Sequence, residues 1–151
     1  MSKTEEETNK AQFRRAYEEM FNQGNLAIAD ELTAPDFLNH EVPPGINNRG
    51  PESARQVVMM LRTAFPDLHF TIEELVAEGD TVVGRVTMSG THQGPFMGKA
   101  PTGRSLRQAQ VHFVRFRDGK GIEHRAVRDD LGMMQQLGVI PVSAHEHVPE
   151  S

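Results

Sequence analysis

Cysteine and tryptophan are both absent from this chain of 151 residues, and tyrosine occurs once. Without thiols there is no disulfide, no thiolate nucleophile and no zinc–thiolate site. Long apolar runs are missing as well. Nothing approaches the roughly 20 apolar residues of a membrane span, and the first ten residues, MSKTEEETNK, lack the apolar core of a signal segment. Positive charge is in short supply: 16 Lys and Arg stand against 21 Asp and Glu, giving a net charge of −5. That balance offers no footprint for a phosphate backbone. These absences predict a soluble, cytoplasmic protein with neither a nucleic-acid nor a membrane partner. With aromatics at 6%, the core falls to Val, Leu, Ile, Met and the eight Phe.

What is present suits one domain, since a chain of this length buries roughly two-thirds of its extended surface on folding. From Ala11 to Phe21, Phe13, Ala16, Tyr17, Met20 and Phe21 recur at helical spacing. A second short helix is expected over Leu26–Thr33, followed by an irregular stretch, DFLNHEVPPGINNRG. Gly50-Pro51 then opens a third helix, with Val57, Val58, Leu61, Ala64 and Phe65 as its apolar stripe and Pro66 as its stop. Beyond Asp67 the period shortens to that of strands. LHFTIEELVAEGDTVVGRVTMSGTH reads as two strands about Glu78-Gly79-Asp80, and QGPFMGKAPTGR as a loop. Ser105–Arg117 and Lys120–Asp129 read as a hairpin about Asp118-Gly119, a favoured two-residue turn. LGMMQQLGVI predicts a closing helical turn. Residues 1–10 are expected to be a flexible amino terminus, 11–140 a single domain and 141–151 a flexible tail. Helices first and strands last give an α+β fold, with helices on one face of a curved antiparallel sheet.

Pairing Arg117 with Lys120 sets a register in which Gln108, Gln110, His112, Val114 and Phe116 share a face with Glu123, Arg125, Val127 and Asp129. The opposite face carries Ala109, Val111, Phe113 and Arg115 with His124, Ala126, Arg128 and Asp130. A polar sheet face is ordinarily a solvated one. Here apolar side chains are interleaved with groups that hydrogen-bond or titrate, which is the lining a ligand pocket needs. On this register Asp129 is the candidate proton-transfer group and Asp130 a helix cap. A bulge would reverse the parity of everything beyond it.

The stretches FPDL, AEGDTVV, GTHQGPF, PTGR and DDLGMMQQLG together resemble the SnoaL-like polyketide cyclase (ester cyclase) family of the nuclear transport factor 2-like superfamily, over about Phe13–Gly138. The resemblance implies a cone-shaped, strongly bent antiparallel sheet with the amino-terminal helices packed on its concave face around a pocket. It also implies ring closure of a polyketide by intramolecular aldol condensation, with no metal and no organic cofactor. The general acid and base would be Asp129, with His112 stabilising the enolate. The family pattern points to His40, His92, Gln110 and His112 as pocket residues and to a homo-oligomer, dimeric or tetrameric; from its place in the glycine-rich loop, Phe96 reads as a substrate-covering lid or as a plug at the end of the sheet, and Arg125 is a further substrate-binding candidate. The family commonly has tryptophan where this chain has Arg125. An arginine there would favour a charged carboxylate or hold a substrate oxygen.

Two other readings fit the same pattern: a non-catalytic protein binding a small hydrophobic ligand, and an epoxide-hydrolase-like enzyme in which aspartate and arginine position water. His145 and His147 form an H-x-H pair without the further ligands a metal site needs. The glycines at 79, 90, 94 and 98 do not make a nucleotide-binding fingerprint.

Overall fold

The computed structural model describes residues 3–141. Helix α1 (Lys3–Arg15) has Glu5 and Glu6 in its first turn and Arg14 and Arg15 in its last, each sign at the end of the helix dipole that favours it. It starts well before the expected Ala11, inside the segment expected to be a flexible terminus. Tertiary contacts extend it: Asn9 is buried, and Glu6 Oε2 accepts a hydrogen bond from the Gly79 amide at 3.0 Å. The helix continues as a widened π-helical turn over Ala16–Phe21, burying Tyr17 and Met20. The carbonyls freed at its end are satisfied from outside, where Arg62 Nη1 donates to Phe21 O and Asn22 O, both at 2.9 Å. The Asn22 amide also pairs with both backbone groups of Phe70, at 2.7 and 2.9 Å, tying this helix end to the sheet.

A 3₁₀ turn (Leu26–Ile28) and α2 (Ala29–Leu32) lead into β1 (Thr33–Asn39), a strand in what reads from sequence as helix end and irregular loop. Its proline explains the misreading. Pro35 lacks an amide hydrogen and is tolerated because β1 is an edge strand, while Ala34 and Phe37 fill the core. Helix α3 (Gly50–Ala64) follows with proline in its first turn. The strands β2 (His69–Glu78), β3 (Thr81–Thr91), β4 (Ser105–Arg117) and β5 (Lys120–Arg128) complete a five-stranded sheet in the order β1-β5-β4-β3-β2. All neighbours are antiparallel except β1 and β5, which are parallel. Helix α4 (Asp130–Gln136) closes the described chain and is clamped to β4 by reciprocal bonds between the Gln136 amide and the Arg107 backbone, at 2.7 and 2.8 Å. Beyond Pro141 the expected tail, with the His145–His147 pair, lies outside the described residues.

The core lies between the helices and one face of the sheet. Phe13, Tyr17, Phe65, Phe70, Val82, Val86 and Leu106 are buried there. Gly84 on β3 lets α1 approach closely, because a β-carbon at that position would collide with the Phe13 ring. Gly84→Ala is therefore expected to destabilise the fold by about 1–3 kcal/mol through overpacking. Chemical denaturation reads this directly, and an unchanged midpoint would contradict the packing described.

Candidate active site

The β4–β5 hairpin decides which side chains meet. Its turn is as expected: Asp118 (φ 54°) and Gly119 (φ 77°) both occupy the left-handed region, and Arg117 pairs with Lys120. The register then slips. Phe116 pairs with Gly121 but Arg115 pairs with Glu123, so Ile122 is an extra residue on β5. The consequence is the parity reversal described above. Val114 faces His124, His112 faces Ala126 and Gln110 faces Arg128. The expected companions Glu123, Arg125 and Val127 turn to the outer face instead.

With that register, a cavity of about 390 Å³ opens between helices and sheet. Its walls are largely apolar, from Phe13, Met20, Phe21, Val57, Met60 and Phe70, and its polar groups come from β1, β4, β5 and the start of α4. Six of the lining groups form one hydrogen-bonded chain. Asn39 Oδ1 lies 2.8 Å from His124 Nδ1, His124 Nε2 lies 2.8 Å from His112 Nδ1, and His112 Nε2 lies 2.6 Å from Gln110 Oε1. Gln110 Nε2 donates to Gln108 Oε1 at 2.7 Å, and Gln108 Nε2 donates at 3.1 Å to Asp130 Oδ1. Tyr17 packs over the chain with its ring 5.2 Å from that of His112.

The electrostatics follow from burial. Desolvation first, then His124 and Arg128, hold the His112 imidazole well below its ordinary value. Desolvation, with Arg128 and His40, brings His124 to about 3. Burial also pushes the Tyr17 phenol up. Arg128 projects into the same cavity, and its Nη1 lies 3.3 Å from Glu41 Oε1.

The expected site residues divide into four groups. His40, Phe96, Gln110 and His112 line the cavity. His40 Nε2 lies 2.7 Å from Glu123 Oε2, and this contact, followed by Arg115, lowers the Glu123 carboxyl. Phe96 sits edge-on to Phe65 at 5.3 Å. Both ring nitrogens of His112 are committed, to Gln110 and to His124. His92 is fully buried outside the cavity lining, where Nδ1 meets the Thr102 hydroxyl (3.1 Å) and amide (3.3 Å) and orders the loop between β3 and β4. Arg125 is on the outer face, its side chain 62% exposed and Nη2 3.4 Å from Glu123 Oε2, so the face expected for it is corrected by the bulge. Asp129 and Asp130 exchange positions relative to expectation. Asp129 caps α4, accepting from Gly132 N at 2.9 Å, and Asp130 lines the cavity. Gly132 makes that cap possible, since a β-carbon there would strike the Asp129 carboxylate.

Sequence reasoning passed over Asn39, His124, Arg128 and Asp130 as site residues. The one signal for the last three was Gly121, a glycine just past the turn, where a bulge is easily accommodated.

The family described as SnoaL-like polyketide cyclase matches residues 11–137. The chain belongs to the SnoaL-like polyketide cyclase family. Among curated relatives, nogalonic acid methyl ester cyclase of Streptomyces nogalater is 34% identical over 120 residues, covering 78% of this chain and 89% of the relative. Aklanonic acid methyl ester cyclase DnrD of Streptomyces peucetius is 32% identical, covering 80% and 84%. Among solved structures, IdmH of Streptomyces antibioticus is 35% identical with a TM-score of 0.73, covering 86% of this chain and 98% of its own. TsrD of Streptomyces laurentii is 28% identical with a TM-score of 0.78, covering 93% and 99%. The SnoaL-like architecture thus extends over nearly the whole described chain.

Two outcomes follow for this SnoaL-like site. Arg125→Ala should change stability by no more than about 0.5 kcal/mol and leave ligand affinity unaltered, as for an exposed residue outside the cavity. Loss of binding in a ligand titration would return Arg125 to the pocket. The buried histidines make the fold acid-sensitive. Their folded pKa values lie below the unfolded value of about 6.5, so the unfolded state binds more protons, and stability falls as pH drops from about 6.5 toward about 3. The limiting slope is about 1.4 kcal/mol per pH unit for each histidine. Urea midpoints measured from pH 7 to pH 5 should decline, and less steeply in His124→Gln. A flat profile in the parent protein would contradict the neutral, buried pair.

Proposed function

We propose that this chain closes a ring in a flat, polyketide-like substrate by intramolecular aldol condensation, with the Asp130 carboxylate as general base and then general acid. The observation that carries this reading is the position of Asp130, at the rim of an apolar cavity and hydrogen-bonded through Gln108 to the buried polar chain. In the reaction the carboxylate removes a proton from carbon next to a carbonyl. The resulting enolate carbon attacks a second carbonyl of the same molecule, forming one carbon–carbon bond. The alkoxide so formed receives the proton back, which leaves Asp130 ionised and the atoms balanced. A bound aromatic substrate covers the carboxylate and removes water from it, which raises its basicity. Arg128, the guanidinium in the cavity, supports charge developing on the enolate oxygen. The relatives named as methyl ester cyclases support a polyketide substrate that carries a methyl ester.

Self-association accompanies this reading. The outer sheet face exposes Phe113 and Val127, and a second copy would cover them in a homo-oligomer. No helix among the described residues is long and apolar enough to cross a membrane.

The test compares neighbouring aspartates with nogalonic acid methyl ester as substrate. Asp130→Asn should lower kcat by about 10²–10⁴ while binding persists, the usual range for a removed general base. Asp129→Ala should keep its turnover and lose about 1 kcal/mol of stability as a missing helix cap. Full activity in Asp130→Asn, or its loss only in Asp129→Ala, would overturn the assignment.

A further inference from the structure

The buried polar chain has one hydrogen fewer than its contacts require. Both of its ends are fixed by backbone groups. Asn39 Oδ1 accepts from the Glu41 amide at 2.9 Å, so it is the oxygen of Asn39, an acceptor, that meets His124. At the other end Gln108 Nε2 donates to the Asp129 carbonyl at 3.1 Å, which turns Gln108 Oε1 toward the Gln110 amide nitrogen and leaves Gln110 Oε1 facing His112. Two imidazoles therefore lie in series between two acceptors. The three contacts Gln110–His112, His112–His124 and His124–Asn39, at 2.6, 2.8 and 2.8 Å, each call for a hydrogen. Two neutral imidazoles supply only two N–H groups. An imidazole–imidazolium pair supplies three. The rings already have the geometry of such a pair, meeting edge to edge through their nitrogens with planes 15° apart and centroids 5.1 Å apart.

We propose that His112 and His124 work as one unit that takes up a single shared proton from solvent when an anionic oxygen occupies the cavity, with Asn39 and His124 as positioning residues that hold the charge there. This inference deepens the cyclase reading of the same site and rests on it for the identity of the anion, an enolate oxygen or a substrate carboxylate. In the empty cavity burial keeps the pair neutral and one contact lacks its hydrogen. An anion nearby offsets the cost of burying the positive charge, and the third hydrogen bond then forms. The surroundings leave the pair as the group that must respond. The helical layer presents Tyr17, whose phenol burial keeps protonated. Beyond β1, Glu41 is paired with Arg128 of β5, and His40 with Glu123. β3 presents only Gly84 opposite His112, and Asp130 of α4 is reached through the two glutamines.

The test needs binding and no turnover, so its failure is distinct from failure of the cyclase reading. Anthraquinone-2-carboxylate, a flat tricycle that is anionic throughout the range used, is titrated calorimetrically into the full-length protein in buffers of different ionisation enthalpy. Close to one proton should be taken up per molecule bound at pH 7, and Kd should rise by up to about tenfold per pH unit where uptake is complete. Ring nitrogen-15 signals of His112 and His124 should shift together on binding. Uptake should survive in His40→Gln and in Asp130→Asn. It should fall toward zero in Asn39→Asp, whose carboxylate stabilises the charged pair before any ligand arrives, and in His124→Phe. Binding without proton uptake, uptake abolished by His40→Gln, or uptake unchanged in both Asn39→Asp and His124→Phe would overturn the proposal.

Discussion

One extra residue governs this molecule. Side chains alternate strictly along a strand, so inserting Ile122 into β5 without a counterpart on β4 exchanges the two faces of everything that follows it. His124, Ala126 and Arg128 turn inward because of it, and Glu123, Arg125 and Val127 turn outward. The same parity change carries into the start of α4, where Asp129 is spent on capping the helix and Asp130 is delivered to the cavity. The position of each acid and base in the site follows from that insertion and from the sharp Asp118-Gly119 turn that precedes it.

Around this constraint the fold arranges an apolar chamber with a polar seam. The helices contribute aromatic and aliphatic walls, and Gly84 lets Phe13 come close enough to close one of them. The seam runs from Asn39 to Asp130 as a continuous run of polar contacts, in which each group meets a partner. Such a lining suits a flat substrate that is largely carbon and carries a few carbonyl oxygens. Membership of the SnoaL-like family places this chamber in an architecture shared with the methyl ester cyclases.

Much of the architecture could be read from the sequence because it rests on local signals. The helical stripe from Phe13 to Phe21, the Gly50-Pro51 helix start and the Asp118-Gly119 turn each declare themselves within a few residues. Strand β1 did not, since Pro35 and Asp36 interrupt its apolar residues and conceal an edge strand that is recognisable only by what it pairs with. The inner face of β4 was also readable: Gln108, Gln110 and His112 alternate with outward residues as expected, and all three are buried. The partners on β5 were not, because a bulge is set by the balance of packing on both strands and leaves only Gly121 as a local trace. His92 shows the complementary difficulty. Its motif and inward direction are plain in the sequence, whereas its separation from the cavity by Phe96 and Phe65 is a matter of tertiary packing.

The account stands most directly on the inward direction of β5, and nuclear Overhauser contacts of the His112 ring in the unliganded protein measure it. Ring-to-ring contacts with His124 are predicted, with the Arg125 side-chain protons seeing only outer-face neighbours such as Glu123. Contacts from His112 to Arg125, with none to His124, would mean that Ile122 is not bulged, and the site would have to be rebuilt around Asp129.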